Sequence, residues 1–501
     1  MSRDPSRIPV LVGIGQSIER DGVTNVVELA YRAAGAAFED APGLVDKIQR
    51  LTMVAVSFSP VGLAPATEVA ERLGLAGIAC ETTTPGGNTP QWLMNRACQE
   101  IAQGDLEATL IVGAEATRSM RLADPGSDFL SAATQDRSQD EGPRDTVVGA
   151  SIRGMLGPAE VEANLLRPSD TYPIFESALA AKLGTSPEES RQRIAAFMSR
   201  SSEVAAKNPF AWFQQARSAQ EIAEASPLNR ITAEPYTKCM NSFANVDQGS
   251  ALLVTNLAIA QETGLADQCV FAWSGATNAE LLPSARPDLG ASPAIRAAGK
   301  ATFAAAGVGL DEIDFIDLYS CFPVAVEIGA AEIGLSWDDT RGLTQTGGMS
   351  FFGGPGNNYV SHGIAAVALR LREAGGTGGG RRLGYASGNG GVLSKHSLGI
   401  YGSEPPPSGF VLADTSAEQA EIGVSALDVV HAAEGEARVD GATVVYDRVG
   451  NPSAAPIIAS LSDGRRVVAV ASEETLPTLV GKTLVGETVR VTGAHPPVYS
   501  I

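Results

Sequence analysis

The sequence predicts an α/β protein of two layered halves, with a loop excursion between them and a small all-β domain at the C-terminal end. Three observations carry this reading. Strand and helix patterns alternate over residues 1–120 and again over 266–402. The alternation lapses between 121 and 265. Beyond Glu404-Pro405-Pro406-Pro407 only short β patterns remain, in 403–501. Strand–helix alternation marks an α/β layer, whereas short strands separated by turn residues mark a sandwich or barrel. At 501 residues the chain is too long for one core, so several units are expected.

In the first half, Pro9 to Ile14 is an apolar run of strand length, and Asn25 can cap a helix reaching about Phe38. That helix places Val26, Leu29, Ala30 and Ala33 on one face. Leu51 to Phe58 reads as a strand and Pro65 to Leu73 as a helix. The glycine turn Thr84-Pro85-Gly86-Gly87 then opens a helix capped by Asn88 or Thr89, with Pro90 in its first turn and Gly104 as its stop. Its buried stripe is Met94, Ala97, Cys98 and Ile101. Thr109 to Ala114 is continuously apolar, as a strand covered on both faces should be.

The excursion holds polar loops (134–144), a helical patch from Glu188 to Ala206, and the stretch Pro235-Tyr236-Thr237-Lys238-Cys239-Met240. In the second half, Val270 to Ser274 is a strand and Ser292-Pro293 a helix start. Ile313 to Leu318 reads as a strand, Pro323 to Ile333 and Ser361 to Ala374 as helices, and Arg382 to Ser387 as a strand leading into a glycine turn, Gly388-Asn389-Gly390-Gly391. Three successive prolines then favour an extended linker. The β runs Thr443–Arg448, Pro456–Leu461, Arg465–Ala471 and Thr488–Thr492 suggest a five-stranded barrel of the OB type.

Composition narrows the function. The net charge of −20 lacks the basic footprint that nucleic acid requires. The N-terminal residues run straight into a short apolar segment, and no stretch approaches about 18 apolar residues, so neither a signal peptide nor a membrane span is expected. Five scattered cysteines without a CxxC pair fit a reducing, cytoplasmic setting, and four histidines without metal spacing make a metal site unexpected.

Five landmarks, in order, resemble the thiolase superfamily over about residues 8–402, nearest the sterol-carrier-protein-linked branch. Asn88 to Gly104, followed by Gln103-Gly104-Asp105 and Leu110-Ile111-Val112-Gly113-Ala114-Glu115, looks like the helix after the nucleophile and its continuation. Lys207-Asn208-Pro209 and Pro235-Tyr236-Thr237-Lys238 resemble the loop domain. Ile313 to Phe322 sits where that branch carries a His-Asp-Cys-Phe box, Gly353-Gly354-Pro355 where the family carries Gly-His-Pro, and Ala386-Ser387-Gly388 where it carries Cys-x-Gly.

The resemblance implies layered αβαβα halves, CoA or acyl-CoA as ligand with no tightly bound cofactor, and pairing into a homodimer. It implies an acyltransferase (acetyl-CoA acetyltransferase-like) chemistry whose cysteine at a helix N-terminus takes up the acyl group, activated by the histidine. The corresponding positions here are Gly87, Gly354 and Ala386; a shifted alignment puts Asn357 or Asn358 at the histidine's place. Loss of a nucleophile from such a site costs roughly 10⁶ in rate. Thiolysis and Claisen condensation are therefore expected to be weak or absent.

What the residues retain is a frame of N–H groups for an oxyanion or for CoA: Gly86, Gly87 and Asn88 on one side, Gly388, Asn389 and Gly390 on the other. The remaining catalytic candidates are Tyr319 and Cys321. Tyr319 stands in for the box's histidine, which allows retro-aldol cleavage of a β-hydroxyacyl-CoA as an alternative to a non-catalytic acyl-CoA-binding scaffold. A phenolate at pH 7 costs roughly 4 kcal/mol, a cost that a hydrogen-bond donor avoids. The plain readings are a packed tyrosine, a buried thiol at Cys321, core packing for Cys98 and a solvent-facing His362; the functional reading of His396, downstream of the glycine turn, is a place near a CoA entrance.

Overall fold

The computed structural model describes residues 4–126, 142–149, 155–375, 380–493 and 495–501. The expected polar loop at 134–144 and the first three residues of the chain lie largely or wholly outside that range.

In the first half, β1 (Pro9–Ile18) is followed by α1 (Val26–Asp40), β2 (Arg50–Met53), α2 (Pro65–Arg72), β3 (Ala79–Thr83), α3 (Thr89–Gln103), β4 (Ala108–Ala116) and α4 (Thr117–Ala123). Asn25 caps α1, its Oδ1 accepting the Glu28 N–H at 2.9 Å, and Gly104 ends α3 in the left-handed conformation that glycine adopts without strain. β2 stops at Met53, short of the expected Phe58. The next N–H groups turn away from the sheet, Ser57 and Phe58 donating to Glu115 Oε1 at 2.8 and 3.1 Å.

The excursion opens with β5 (Thr146–Val148) and continues through α5 (Pro158–Glu162), α6 (Pro168–Leu183), α7 (Pro187–Lys207) and α8 (Ala219–Ala223). The short strands β6 (Ile231–Ala233) and β7 (Tyr236–Thr237) close it. α6 has no counterpart in the sequence reading, because it carries Pro173 internally and buries residues all round, from Thr171 to Ala180. The chain returns to the core as β8 (Asp247–Asn256) and α9 (Leu257–Glu262). The second half comprises β9 (Val270–Ala279), α10 (Pro293–Ala306), β10 (Phe315–Asp317), α11 (Pro323–Glu332), α12 (Tyr359–Gly375), β11 (Leu383–Gly390) and β12 (Lys395–Gly402).

One half-sheet has the order β1-β8-β4-β2-β3-β5, and the other β10-β11-β12-β9. They meet through two residue pairs only, Val10–Phe271 and Leu11–Val270. α3 and α12 pack against each other and against strands of both halves, which makes them the central layer of an αβαβα stack. A strand covered on both faces must be apolar throughout, and β4 and β8 are buried at every position.

After the proline linker the chain does not leave the core at once. β13 (Val411–Leu412) pairs in parallel with β9, and α13 (Ser416–Val424) packs on α10. Then come β14 (Val429–Val430), β15 (Gly435–Ala442), β16 (Val445–Tyr446), β17 (Pro452–Ala454), β18 (Pro456–Leu461), β19 (Arg466–Ala471), β20 (Thr488–Thr492) and β21 (Val498–Ser500). The pairings β19-β18-β15-β20-β21 close back on β19, the last in parallel, giving a five-stranded barrel with β14 attached. Its core, including Val439, Ile457, Val467, Val491 and Tyr499, is its own. Ile458 and Val468 on its outer face join the core of the main body instead.

Among the described residues, no helix is long and apolar enough to cross a membrane, and no group of three or more His, Cys, Asp or Glu is placed to hold a metal ion.

Candidate functional site

The turn that opens α3 is held by its own backbone and by one asparagine. The Thr89 N–H and hydroxyl both donate to the Gly86 carbonyl, at 3.0 and 2.7 Å. The Gly86 N–H donates to Asn357 Oδ1 at 3.0 Å, while Asn357 Nδ2 ties down the Ala55 carbonyl at 2.8 Å. Asn88 occupies the N-cap but makes no capping bond with its side chain; its Nδ2 donates to Ser397 Oγ at 3.1 Å.

Strand β11 crosses this turn at backbone contact. A Cβ on Gly388 would lie 2.9 Å from Asn88 Cα, and one on Gly390 would lie 3.0 Å from Gly86 Cα. All six residues of the expected oxyanion frame are therefore brought together. The second element differs from expectation, however. Gly388, Asn389 and Gly390 are strand residues paired with Ser397, His396 and Lys395, not a turn. The missing side chains of Gly388 and Gly390 make room for the turn that opens α3.

Tyr319 leaves the end of β10 and is anchored by its N–H, which donates to Ser387 Oγ at 3.0 Å. A Cβ built on Gly87 would stand 2.3 Å from the Tyr319 hydroxyl oxygen and 2.5 Å from the Asn389 carbonyl oxygen. Any side chain at position 87 would collide with both. Burial, with Cys321 and Tyr359 nearby, pushes the Tyr319 phenol well above its ordinary value. The phenol is therefore held in its protonated form at neutral pH. The cavity bordering Tyr319, Ser387, Asn389 and His396 holds about 20 Å³, room for roughly one water.

Behind Tyr319 lies a fixed polar network. Asp317 Oδ1 accepts the Thr344 hydroxyl at 2.9 Å and the Gln345 N–H at 2.8 Å, and the Tyr359 hydroxyl meets Thr346 Oγ1 at 2.6 Å and Ser320 Oγ at 3.1 Å. Cys321 is buried among Asn389, Tyr172 and Phe322. Asn389 Nδ2 lies 3.9 Å from its sulfur and donates to the Tyr172 hydroxyl at 2.9 Å. Burial pushes the Cys321 thiol up to about 12, so the thiolate that nucleophilic attack requires is scarce at pH 7.

Tyr172 was not legible as a site residue. It lies on α6, accepts the Leu393 N–H at 2.9 Å, donates to the Gly391 carbonyl at 3.2 Å, and stacks on Phe322 with ring centroids 4.4 Å apart. No spacing in the excursion marks it.

The two other family positions are elsewhere. The Gly354 N–H donates to the Phe243 carbonyl at 2.8 Å, and a Cβ there would stand 2.3 Å from Ser242 Oγ. Asn357 is the residue of that loop that reaches the α3 turn. Ala386 is buried within β11 between Asp317 and Gly399. His362 does not face solvent: it is fully buried, with Nδ1 2.7 Å from Gln16 Oε1, and burial lowers its pKa to about 3. His396 is buried too, Nε2 3.3 Å from the Leu393 carbonyl, and burial, then Arg286, lowers it to about 3. Neither is poised as a base at neutral pH.

The family model described as the thiolase-like protein type 1 additional C-terminal domain matches residues 419–494. The chain is similar to a monomeric SCP2-thiolase like protein type 1 from Mycobacterium smegmatis, with 30% identity, 99% of each chain covered and a TM-score of 0.84. The fold alone is shared with an Ltp2–ChsH2(DUF35) aldolase (18% identity, 80% of this chain and 98% of that one, TM-score 0.59). The same holds for the dimeric peroxisomal thiolase of Saccharomyces cerevisiae (15% identity, 80% and 98%, TM-score 0.57). No curated protein matches the chain.

Proposed function

The chain belongs to the SCP2-thiolase-like proteins of type 1, and on that premise we propose that it binds an acyl-CoA ligand through a thiolase fold without ever forming an acyl-enzyme. The observation that carries this reading is the contact between Gly87 and Tyr319. The thiol that would take up an acyl group is absent, and its space is filled by a phenol 2.3 Å from where a Cβ would stand. Removing such a nucleophile lowers the rate by roughly 10⁶. The CoA part of the proposal rests on the resemblance to thiolases, which implies CoA as ligand.

The retro-aldol alternative draws less support. It needs Tyr319 to accept a proton, and burial biases that phenol the other way. We further propose that the chain is a monomer, in place of the homodimer that the thiolase resemblance implies. The Mycobacterium smegmatis relative is described as monomeric, and β5 of this chain covers the outer edge of β3, which would otherwise be an open edge able to pair with a second sheet.

Calorimetric titration with CoA and acetyl-CoA, run beside a thiolysis assay on acetoacetyl-CoA, tests the proposal. Binding with turnover at background is the expected result. A trapped acyl group on any of the five cysteines, or no binding of either ligand, would overturn it. Release of a carbonyl compound from β-hydroxyacyl-CoAs that disappears in Tyr319→Phe would establish the lyase reading in its place.

A further inference from the structure

The C-terminal domain is fastened to the excursion by a second small sheet. Residues 443–456 leave the barrel, and β16 pairs with β6, Val445 opposite Ala233, in the order β17-β16-β6-β7. Between this hairpin and the turn leading into α6 lies a cleft of about 500 Å³, within the size range of small-molecule sites.

Three arginines from three separate segments line it: Arg167 at the N-cap of α6, Arg230 ahead of β6, and Arg448 at the tip of the hairpin. The chain as a whole carries 57 acidic against 37 basic residues. Many arginines elsewhere are spent on carboxylates, as Arg96 is on Glu81 and Glu100, and Arg193 on Glu176 and Glu327, while others such as Arg20 and Arg286 are held by backbone carbonyls. Here the guanidinium groups go largely unanswered. Among the described residues no ion pair joins Arg167 or Arg448 to a carboxylate, although Asp170 lies near enough to feel the Arg167 charge, and Arg230 is held by a neutral acceptor, the Ile231 carbonyl, at 3.0 Å.

The two carboxylates in the lining do not supply the balance. Asp447 folds back on its own turn, accepting the Val449 and Asn451 N–H groups at 2.9 and 2.8 Å. Asp170 accepts the Ser169 hydroxyl at 2.9 Å; burial raises its pKa, and the nearby Arg167 charge only partly offsets that, so it answers one of the three guanidinium groups in part. The positive end of α6, a helix of 16 residues, opens at the same place. Three guanidinium groups around one cleft repel one another unless an anion joins them, and their planar forks suit phosphate oxygens.

We propose that this cleft, formed jointly by the excursion and the C-terminal domain, binds the phosphate groups of a small phosphorylated ligand. On the acyl-CoA reading that ligand is CoA, held by its phosphates, and this extension rests on that reading. The geometry is compatible with it. Tyr172, which contacts Asn389 behind the α3 turn, lies five residues along α6 from Arg167, about 7 to 8 Å of helix. Arg167 and Tyr172 thus set the cleft and the surroundings of the α3 turn along one helix segment.

The test is calorimetric titration of the full chain with inorganic pyrophosphate, ADP and CoA, repeated on Arg167→Glu and Arg448→Glu, with Arg490→Glu on the barrel as a charge control. Both target arginines are exposed, so their variants keep the fold. Binding of pyrophosphate that weakens at least tenfold in each target variant, and not in the control, supports the site. Loss of CoA binding in the same variants identifies CoA as its ligand. Pyrophosphate binding that responds in this way while CoA fails to bind keeps the phosphate site and discards the acyl-CoA reading. CoA binding that is indifferent to both variants does the reverse, and the absence of binding by every phosphate overturns both.

Discussion

The hydroxyl oxygen of Tyr319 stands 2.3 Å from the point where a Cβ on Gly87 would have to be. The two residues are 232 positions apart and exclude each other's alternatives. Glycine is required at 87 because the phenol is there, and the phenol fits because 87 is glycine. A change at one position alone does not restore the family's chemistry.

Gly87→Cys is expected to place the thiol in collision with Tyr319 and with the Asn389 carbonyl. Overpacking of this kind costs about 1–3 kcal/mol, read as a lower denaturant midpoint, with no gain in thiolysis. Adding Tyr319→Ala should relieve part of the cost, giving a coupling of at least about 0.5 kcal/mol in a double-mutant cycle. Full additivity would mean that the two side chains do not compete for the space.

The cysteine nearest the site should be inert in the native protein. Burial pushes Cys321 and Cys269 up to about 12 and Cys98 higher still. Alkylation by iodoacetamide at pH 7.5, followed by mass spectrometry, should leave these three unmodified in native buffer and modify all five cysteines in denaturant.

Acid should destabilise the protein through its two buried histidines. His362 and His396 are neutral in the fold down to about pH 3, whereas in the unfolded chain they take up protons below the ordinary histidine value of about 6.5. The unfolded state then binds more protons, so the stability that is fully present above pH 6.5 is lost as pH falls toward 3. Each histidine contributes about 1.4 kcal/mol per pH unit. His362→Gln should reduce the slope of denaturant stability against pH by about one proton's worth.

Two buried carboxyl groups share one guanidinium beneath the excursion. Arg193 donates to Glu176 at 3.1 Å and to Glu327 at 2.9 Å, and Glu176 also accepts the Tyr236 hydroxyl at 2.9 Å. Burial, and then Glu327, raises the Glu176 pKa well above the usual carboxylate range. Arg193→Met should cost about 3–5 kcal/mol, because it strands buried acids. Glu327→Gln should cost much less, since one of the two carboxyls already holds its proton. Chemical denaturation of both variants decides it.

The chain should sediment at its monomer mass of 51.8 kDa. Val148, whose carbonyl accepts the Thr84 N–H at 2.8 Å, is the β5 residue that faces β3, and Val148→Pro would remove its ladder donor and loosen that hold. Self-association appearing in that variant, by analytical ultracentrifugation, is the expected consequence of uncovering a sheet edge. A wild-type dimer would show that β5 does not guard that edge.

The local features were legible because their causes are local. Asn25, Ser292 and Gly104 fix helix ends through bonds made within a few residues. Thr109 to Ala114 is apolar because it is covered twice. The order of five motifs placed the α/β halves, and the spacing of turns placed the barrel. The coming together of Gly86–Asn88 and Gly388–Gly390 could also be expected, since both frame the same helix end.

The sequence by itself thus determined the fold class, the barrel, and the absence of a thiol at position 87. Only the tertiary structure decided that the vacated space is closed by Tyr319, that Tyr172 enters from the excursion, and that Gly388 to Gly390 are strand residues pressed on α3. It alone also joined Arg167, Arg230 and Arg448 around one cleft. The reason is range: a cap or an apolar stripe is set by neighbours three or four residues away, whereas close packing between segments hundreds of residues apart leaves no periodic trace along the chain.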